Sequence, residues 1–309
     1  MSSLANVVPQ ETVALLVAYN GQAFAGSQYQ IHHGVVRSTV QGELEQALQA
    51  LLGTFVHVHL AGRTDAGVHA EGMVAHALVP AGFTERFPTL AQALNAHLPP
   101  EISVLAVAPV DATFHAQHSA LWRWYRYRWQ LSPVRQVWAA PASTWVKTPV
   151  LPACGNHAVA QAWLSGLQGR TWDFASFKSQ KGERQVSPGV YAPMPDNTLA
   201  TVYWAEWAPT PWGAELHIVA NRFVYHMVRN LAAVVFALAF EHAMTPTQRS
   251  PLTLAQAQAL LIEPALFAAR NWITLARPEG LSFMGVGYPD GMDVFADTPH
   301  RQWLAGQWT

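Results

Sequence analysis

The feature that most constrains this chain is its longest uninterrupted apolar run, LAAVVFALAF, from Leu231 to Phe240. Ten residues fall well short of the roughly 20 that span a bilayer. The run therefore reads as a helix that the rest of the chain must bury. Of 309 residues, 50% are hydrophobic and only 12% charged, a balance that argues against extended disorder and for a compact protein. The length suits two domains, since single domains usually run to about 100–200 residues. The single cysteine, Cys154, excludes an intrachain disulfide and any multi-cysteine zinc or iron–sulfur centre, which fits a reducing, cytoplasmic setting. The opening MSSLANVVPQET has no basic segment leading into an apolar one, so it does not read as a signal peptide.

Strand and helix signals alternate on both sides of that run. ETVALLVAYNGQ is β-rich and ends in the turn pair Asn20-Gly21. In STVQGELEQALQALLG, Ser38 or Thr39 can cap a helix with the apolar stripe Leu44, Leu48, Leu51 and Leu52, closed by Gly53. The alternation from Phe55 to Leu60 predicts a strand, MVAHALV another, TLAQALNAHLPP a helix stopped by Pro99, and Ile102 to Val107 a further strand. A boundary is expected between Asp111 and Ser119, giving domains 1–115 and 116–309. Beyond it, LWRWYRYRWQL, ATVYWAEW and GAELHIVAN predict strands, HAVAQAWLSGLQG a helix, and FVYHMVRNLAAVVFALAFEHA a long helix from about Val224. Strands mixed with about two helices in each half argue for an α+β fold.

Three clusters could carry chemistry. The first is GRTDAGVH, Gly62 to His69, on the loop after a strand; its glycines let the backbone turn tightly and a ligand approach Asp65. On spacing alone Asp65 reads first as a turn or cap residue, which is common for aspartate after a strand. His69-Ala70-Glu71 matches the H-x-E fragment of zinc deaminases, but the P-C-x-x-C partner is missing around Cys154, and that reading fails. A metal-dependent hydrolase built on Asp65, His69 and His76 remains as an alternative. The second cluster is Leu121 to Trp129, where strand alternation puts Tyr125 and Tyr127 on one face and Arg126 and Arg128 on the other. Aromatic platforms beside cations suit single-stranded nucleic acid, although on the residues alone a buried aromatic face with solvated arginines is the commoner arrangement. The third is Asn221 to Asn230, where Arg229 stands beside the apolar stripe of an almost chargeless helix and calls for an anion. The net charge of −1 gives no global basic signal, yet of 18 basic residues only Lys147, Lys178 and Lys181 are lysines. Arginine is the better bidentate phosphate ligand, and an Arg-rich codon bias accounts for the same counts.

AGRTDAGVHA, RWYRYRW and FVYHMVRN, in that order, closely resemble the TruA family of tRNA pseudouridine synthases. VAYNGQAFAGSQYQ, TVQGELEQAL, NAHLPPEISV, DATFHAQHSA, WDFASFKS and GLSFMGVGYP add matches, so the resemblance spans most of Tyr19 to Pro289. It implies two ferredoxin-like α+β domains with mainly antiparallel sheets joined across a central RNA-binding cleft, in a homodimer without membrane contact. The implied activity is isomerisation of uridine to pseudouridine in the tRNA anticodon stem-loop, at positions 38 to 40, with no cofactor and no metal. Asp65 matches the catalytic aspartate, Tyr125 the active-site tyrosine and Arg229 the basic partner of the aspartate. Arg63, Thr64, Arg126, Arg128 and Lys178 are the expected RNA contacts. A binding or tRNA-folding protein, or a synthase for another RNA site, are the alternatives. Three places depart from the family pattern: Ser27 stands where a tryptophan is usual, Gln117 where an arginine is usual, and the loop from Glu183 to Pro195 matches poorly.

Overall fold

The structure, a computed structural model, describes residues 9–29, 31–32, 35–87, 89–137, 142–148, 155–179, 184–187, 190–192, 197–240, 252–263, 274–298 and 302. Cys154, part of the divergent loop from Glu183 to Pro195 and the last residues of the tail lie outside these. The described chain forms two compact units, 1–123 with 282–309, and 124–281.

The first unit starts with β1 (Gln10–Tyr19), a short pair β2 (Ile31–His32) and β3 (Val35–Val36), α1 (Val40–Leu52) and β4 (Val58–Leu60). Then come β5 (His69–Pro80), α2 (Phe83–Arg86), α3 (Leu90–Asn95) and β6 (Ile102–Val110). The second unit holds β7 (Trp122–Ser132), β8 (Thr144–Lys147), α4 (His157–Leu167), β9 (Arg170–Asp173), β10 (Arg184–Ser187), β11 (Val190–Ala192), β12 (Leu199–Thr210), β13 (Gly213–Ala220), α5 (Met227–Ala239) and α6 (Leu254–Ile262). The chain then returns to the first unit with β14 (Leu281–Gly287). The architecture is α+β with mostly antiparallel pairing; β14 on β5 and β8 on β7 are the parallel pairs described.

In the first unit β1 lies between β5 and β6, antiparallel to both, and its residues Val13 to Val17 are fully buried. A strand covered on both faces reads as a continuous apolar run, which is what VALLV is. On its other side β5 pairs with β4 near one end and with β14 at His69 and Ala70. Helix α1 forms as its ends dictate. Thr39 accepts the Gly42 N–H, and Gly53 adopts φ 71°, a left-handed stop that suits glycine. Leu44 and Leu48 are fully buried, each contributing roughly 1.5–3 kcal/mol, and α1 packs on α3 and β4.

In the second unit the strands follow the order β7-β13-β12-β9, with β8 beside β7. Helix α4 packs on β12 and α5. Helix α5 carries the apolar run, and all its residues except Arg229 and Ala233 are buried. Two elements are shorter than the periodicity predicts. β4 begins at Val58 rather than Phe55, because the Val58 N–H is met by Glu45 Oε1 at 3.1 Å and ladder pairing starts only there. α5 begins at Met227 rather than Val224, because His226 adopts φ 65° and breaks the helical path. Among the described residues no helix is long and apolar enough to cross a membrane.

Candidate active site

The Asp65 loop is held on both flanks by the segment after β1. Ser27 donates its N–H to the Thr64 carbonyl at 3.0 Å and accepts the Thr64 N–H on Oγ at 2.8 Å. Gly26 and Asp65 form an antiparallel bridge. The Thr64 hydroxyl lies 2.8 Å from Tyr19 Oη, and burial pushes the tyrosine pKa well above its usual value although that bond works the other way. Past the aspartate, the Gly67 N–H donates to the Gly21 carbonyl at 3.1 Å, and the Val68 N–H returns to the Asp65 carbonyl at 3.1 Å. Gly67 has φ 84°, a conformation that excludes most side chains. Thr64 and Val68 are thus buried, Asp65 is half-buried, and Arg63 is exposed. A buried frame around a half-buried aspartate suits a group that must meet a substrate.

A cavity of about 60 Å³ opens beside this loop, with Ser27, Gln28, His59, Gly62, Arg63 and Gln117 in its wall. Behind it the histidines form a chain of rings. His59 stacks on His76 with centroids 4.9 Å apart, His115 lies 4.6 Å from His76, and His118 lies 4.1 Å from His115. Burial, with the neighbouring rings of His115 and His59, pushes the His76 pKa down to about 4. Its Nδ1 accepts the Ala116 N–H at 3.1 Å, while the Ala116 carbonyl accepts the Tyr288 hydroxyl at 2.8 Å. His76 is a neutral structural acceptor. Among the described residues no group of three or more His, Cys, Asp or Glu side chains is placed to hold a metal ion.

The second unit carries the other expected residues. Tyr125 is buried on β7, its ring edge-on to Phe223 with centroids 5.0 Å apart. Tyr127 is buried with its hydroxyl on Thr144 Oγ1 at 2.7 Å and the Arg277 carbonyl at 2.8 Å. Arg126, 6% exposed, is buried rather than solvated. The side chain of Arg128 is 31% exposed, and its Nε lies 2.7 Å from Glu215 Oε1. The other oxygen of Glu215 meets His217 Nε2 at 3.0 Å. Burial would raise the Glu215 pKa, but the His217 hydrogen bond and the charges of Arg128 and Arg126 bring it down to about 2. Arg229, in the first turn of α5, donates from Nε to the Ala276 carbonyl at 2.7 Å. Its neighbour Asn230 donates to the Phe177 carbonyl at 2.8 Å, and the Ser179 N–H donates to the Tyr225 carbonyl at 3.2 Å. Lys178 sits between these two anchor points, so the structure draws the segments of Arg229 and Lys178 together. Asp65, Arg63 and Thr64 belong to the first unit; Tyr125, Arg126, Arg128, Lys178 and Arg229 belong to the second.

Sequence reasoning missed Glu215 as the partner of the β7 arginines. Its signal is a lone carboxylate in the apolar strand GAELHIVAN. It also missed Ser27, visible only as a departure from the expected tryptophan.

A family model described as tRNA pseudouridine synthase matches residues 15–119. The tRNA pseudouridine synthase A of Chloroflexus aurantiacus is 35% identical over 297 residues, covering 94% of each chain. That of Methylibium petroleiphilum is 34% identical over 293 residues, covering 94% of this chain and 99% of its own. That of Methylococcus capsulatus is 32% identical over 285 residues, covering 92% of each.

Proposed function

The chain belongs to the tRNA pseudouridine synthase family, and from that premise we propose that it isomerises uridine to pseudouridine in the tRNA anticodon stem-loop, at positions 38 to 40. In this reading Asp65 is the catalytic carboxylate, Tyr125 the tyrosine that stacks on the uracil, and Arg229 the basic partner of the aspartate. Arg63, Thr64, Lys178, Arg126 and Arg128 contact RNA. The resemblance extends the proposal to a cytoplasmic homodimer in which each chain has two ferredoxin-like domains, working without cofactor or metal.

The observation that carries the reading is the Asp65 loop itself. Its backbone is fixed by Ser27, Gly26 and Gly21 and its Thr64 hydroxyl by Tyr19, while Asp65 stays half-buried. The reaction breaks the bond from C1′ to N1, turns the uracil and joins C1′ to C5; C5 loses its proton and N1 gains one. An ionised carboxylate serves the first step either as the nucleophile at C1′ or as the base that removes the C2′ proton to give a glycal. A target base inside a stem must leave the stack, at a cost of a few kcal/mol that contacts with the flipped base offset. A fixed carboxylate loop adds no ordering cost of its own at that moment.

The test is to incubate the protein with an unmodified tRNA transcript bearing uridines at 38 to 40, with EDTA present, and to map pseudouridine. Modification by the wild type and none by Asp65→Asn is the expected result. No modification by the wild type, or full activity in Asp65→Asn, overturns the reading. Protection of the transcript without modification would identify an RNA-binding or tRNA-folding protein, and pseudouridine elsewhere would assign another RNA site. Loss of activity with EDTA would favour the metal-dependent alternative.

A further inference from the structure

We propose that Ser27 is a positioning residue for Asp65, a role that rests on reading Asp65 as the catalytic carboxylate. Ser27 is fully buried, and each of its polar groups has a partner. Its N–H donates to the Thr64 carbonyl at 3.0 Å, its Oγ accepts the Thr64 N–H at 2.8 Å, and its carbonyl accepts the Gln41 N–H at 2.9 Å. One residue therefore ties the first turn of α1 to both polar groups of Thr64, next to the aspartate.

The side chain is the distinctive part of this arrangement. Any residue but proline at 27 can supply the backbone half of the tie, but only a side chain with an acceptor at the γ position can meet the Thr64 N–H. The tryptophan that the resemblance leads one to expect here has an indole that donates only. A buried N–H without an acceptor is costly, so this chain's serine meets a demand set by its own loop. With Oγ in place, the Arg63–Thr64 and Thr64–Asp65 peptides are both fixed, one on each side of the Thr64 Cα, and the direction of the Asp65 side chain follows from them. Without Oγ, the N–H must turn toward another acceptor and carry the carboxylate with it. A displacement of about 1 Å in a reacting group costs on the order of a hundredfold in rate.

The test separates chemistry from binding. Single-turnover rates are measured with the protein in excess over unmodified tRNA, alongside the tRNA dissociation constant and the thermal unfolding curve. Ser27→Ala is expected to slow the single-turnover rate roughly 10- to 100-fold while the dissociation constant stays within about twofold of wild type. A folded Ser27→Ala at the wild-type rate overturns the proposal, as does a loss that lies wholly in tRNA affinity. If Ser27→Ala does not fold, Ser27→Cys is read in its place: sulfur is a weak acceptor of similar size, and a wild-type rate there overturns the proposal equally. Asp65→Asn in the same assay keeps the two readings apart. Its inactivity with an intact Ser27→Ala defeats only the positioning role, whereas its full activity defeats the catalytic reading beneath it.

Discussion

Arg128 Nε stands 2.7 Å from Glu215 Oε1, one cation of the aromatic strand β7 held by the single carboxylate of the neighbouring strand β13. With His217 on the other oxygen, Glu215 is ionised in the folded protein down to a pKa of about 2, against an ordinary value of 4.5. A carboxyl whose folded pKa is depressed adds stability above its unfolded pKa and loses it as pH falls through the folded one. Its contribution should be complete above about pH 4.5 and vanish toward pH 2. Glu215→Gln should cost on the order of 2 kcal/mol at pH 7 by stranding partly buried cations. Urea midpoints at pH 7, 4 and 3 check this: wild type and variant should converge as the pH falls, and a constant gap would disprove the linkage.

That pair also shows where sequence reading stops. Alternation put Arg126 and Arg128 on one face of β7, and the burial of Tyr125 and Tyr127 agrees with an apolar opposite face. Alternation says nothing about the strand alongside, and Glu215 is 87 residues away. The same holds for Ser27 and Thr64, 37 residues apart. Local signals were legible where local physics decides: the Thr39 cap, the Gly53 stop and the loop placement of Asp65 are all found. The start of α5 was not, because the left-handed turn at His226 breaks an apolar periodicity that continues back to Val224. Nor was the return of the chain after Ser282 to the first unit, a parallel pairing with β5 that no local pattern encodes.

His76 should set part of the acid limit of the first unit. Its Nδ1 must keep a lone pair for the Ala116 N–H, and protonation would turn that acceptor into a donor facing a donor. A histidine whose folded pKa is lowered favours the folded state fully above its unfolded pKa. That stability is lost between about pH 6.5 and the folded value of about 4. His59 and His115 are shifted in the same direction, by burial and by neighbouring histidines, and add to the loss as the pH falls. His76→Asn, whose side-chain oxygen accepts near the same place, should keep the Ala116 bond and make the decline between pH 6.5 and 4 shallower. Urea midpoints at pH 7.5, 6, 5 and 4 measure it; an unchanged slope would assign the decline to the other rings.

Gly21 and Gly53 should respond very differently to alanine. A Cβ on Gly21 would run into the Val68 carbonyl, which is backbone and cannot swing aside. Gly53 meets nothing within 4 Å, and its constraint is only its φ of 71°. Gly53→Ala should cost about 1 kcal/mol, the ordinary charge for a left-handed alanine. Gly21→Ala should cost roughly 3 kcal/mol or more and push the far flank of the Asp65 loop outward, so that pseudouridine formation falls further than stability alone explains. Thermal unfolding and single-turnover rates on both variants test the contrast. Equal losses of stability would mean that the approach of Gly21 to Val68 is not tight in solution.

Arg229 should not tolerate lysine, even though the charge is kept. Its Nε is committed to the Ala276 carbonyl at 2.7 Å, which fixes the plane of the guanidinium and with it the direction of the terminal nitrogens. Lysine has one rotatable ammonium and no second donor on the same rigid plane, so it can hold the carbonyl or reach outward but not both. If Arg229 is the basic partner of the reaction, Arg229→Lys should lower kcat about 10- to 100-fold with little change in KM, the pattern of an interaction made chiefly in the transition state. Arg229→Gln, which also removes the charge, should fall further. The comparison is made on initial rates of pseudouridine formation with unmodified tRNA, alongside thermal unfolding to confirm that α5 is intact. Wild-type kcat in Arg229→Lys would show that charge alone matters at this position and that the bond to Ala276 serves only to hold the helix.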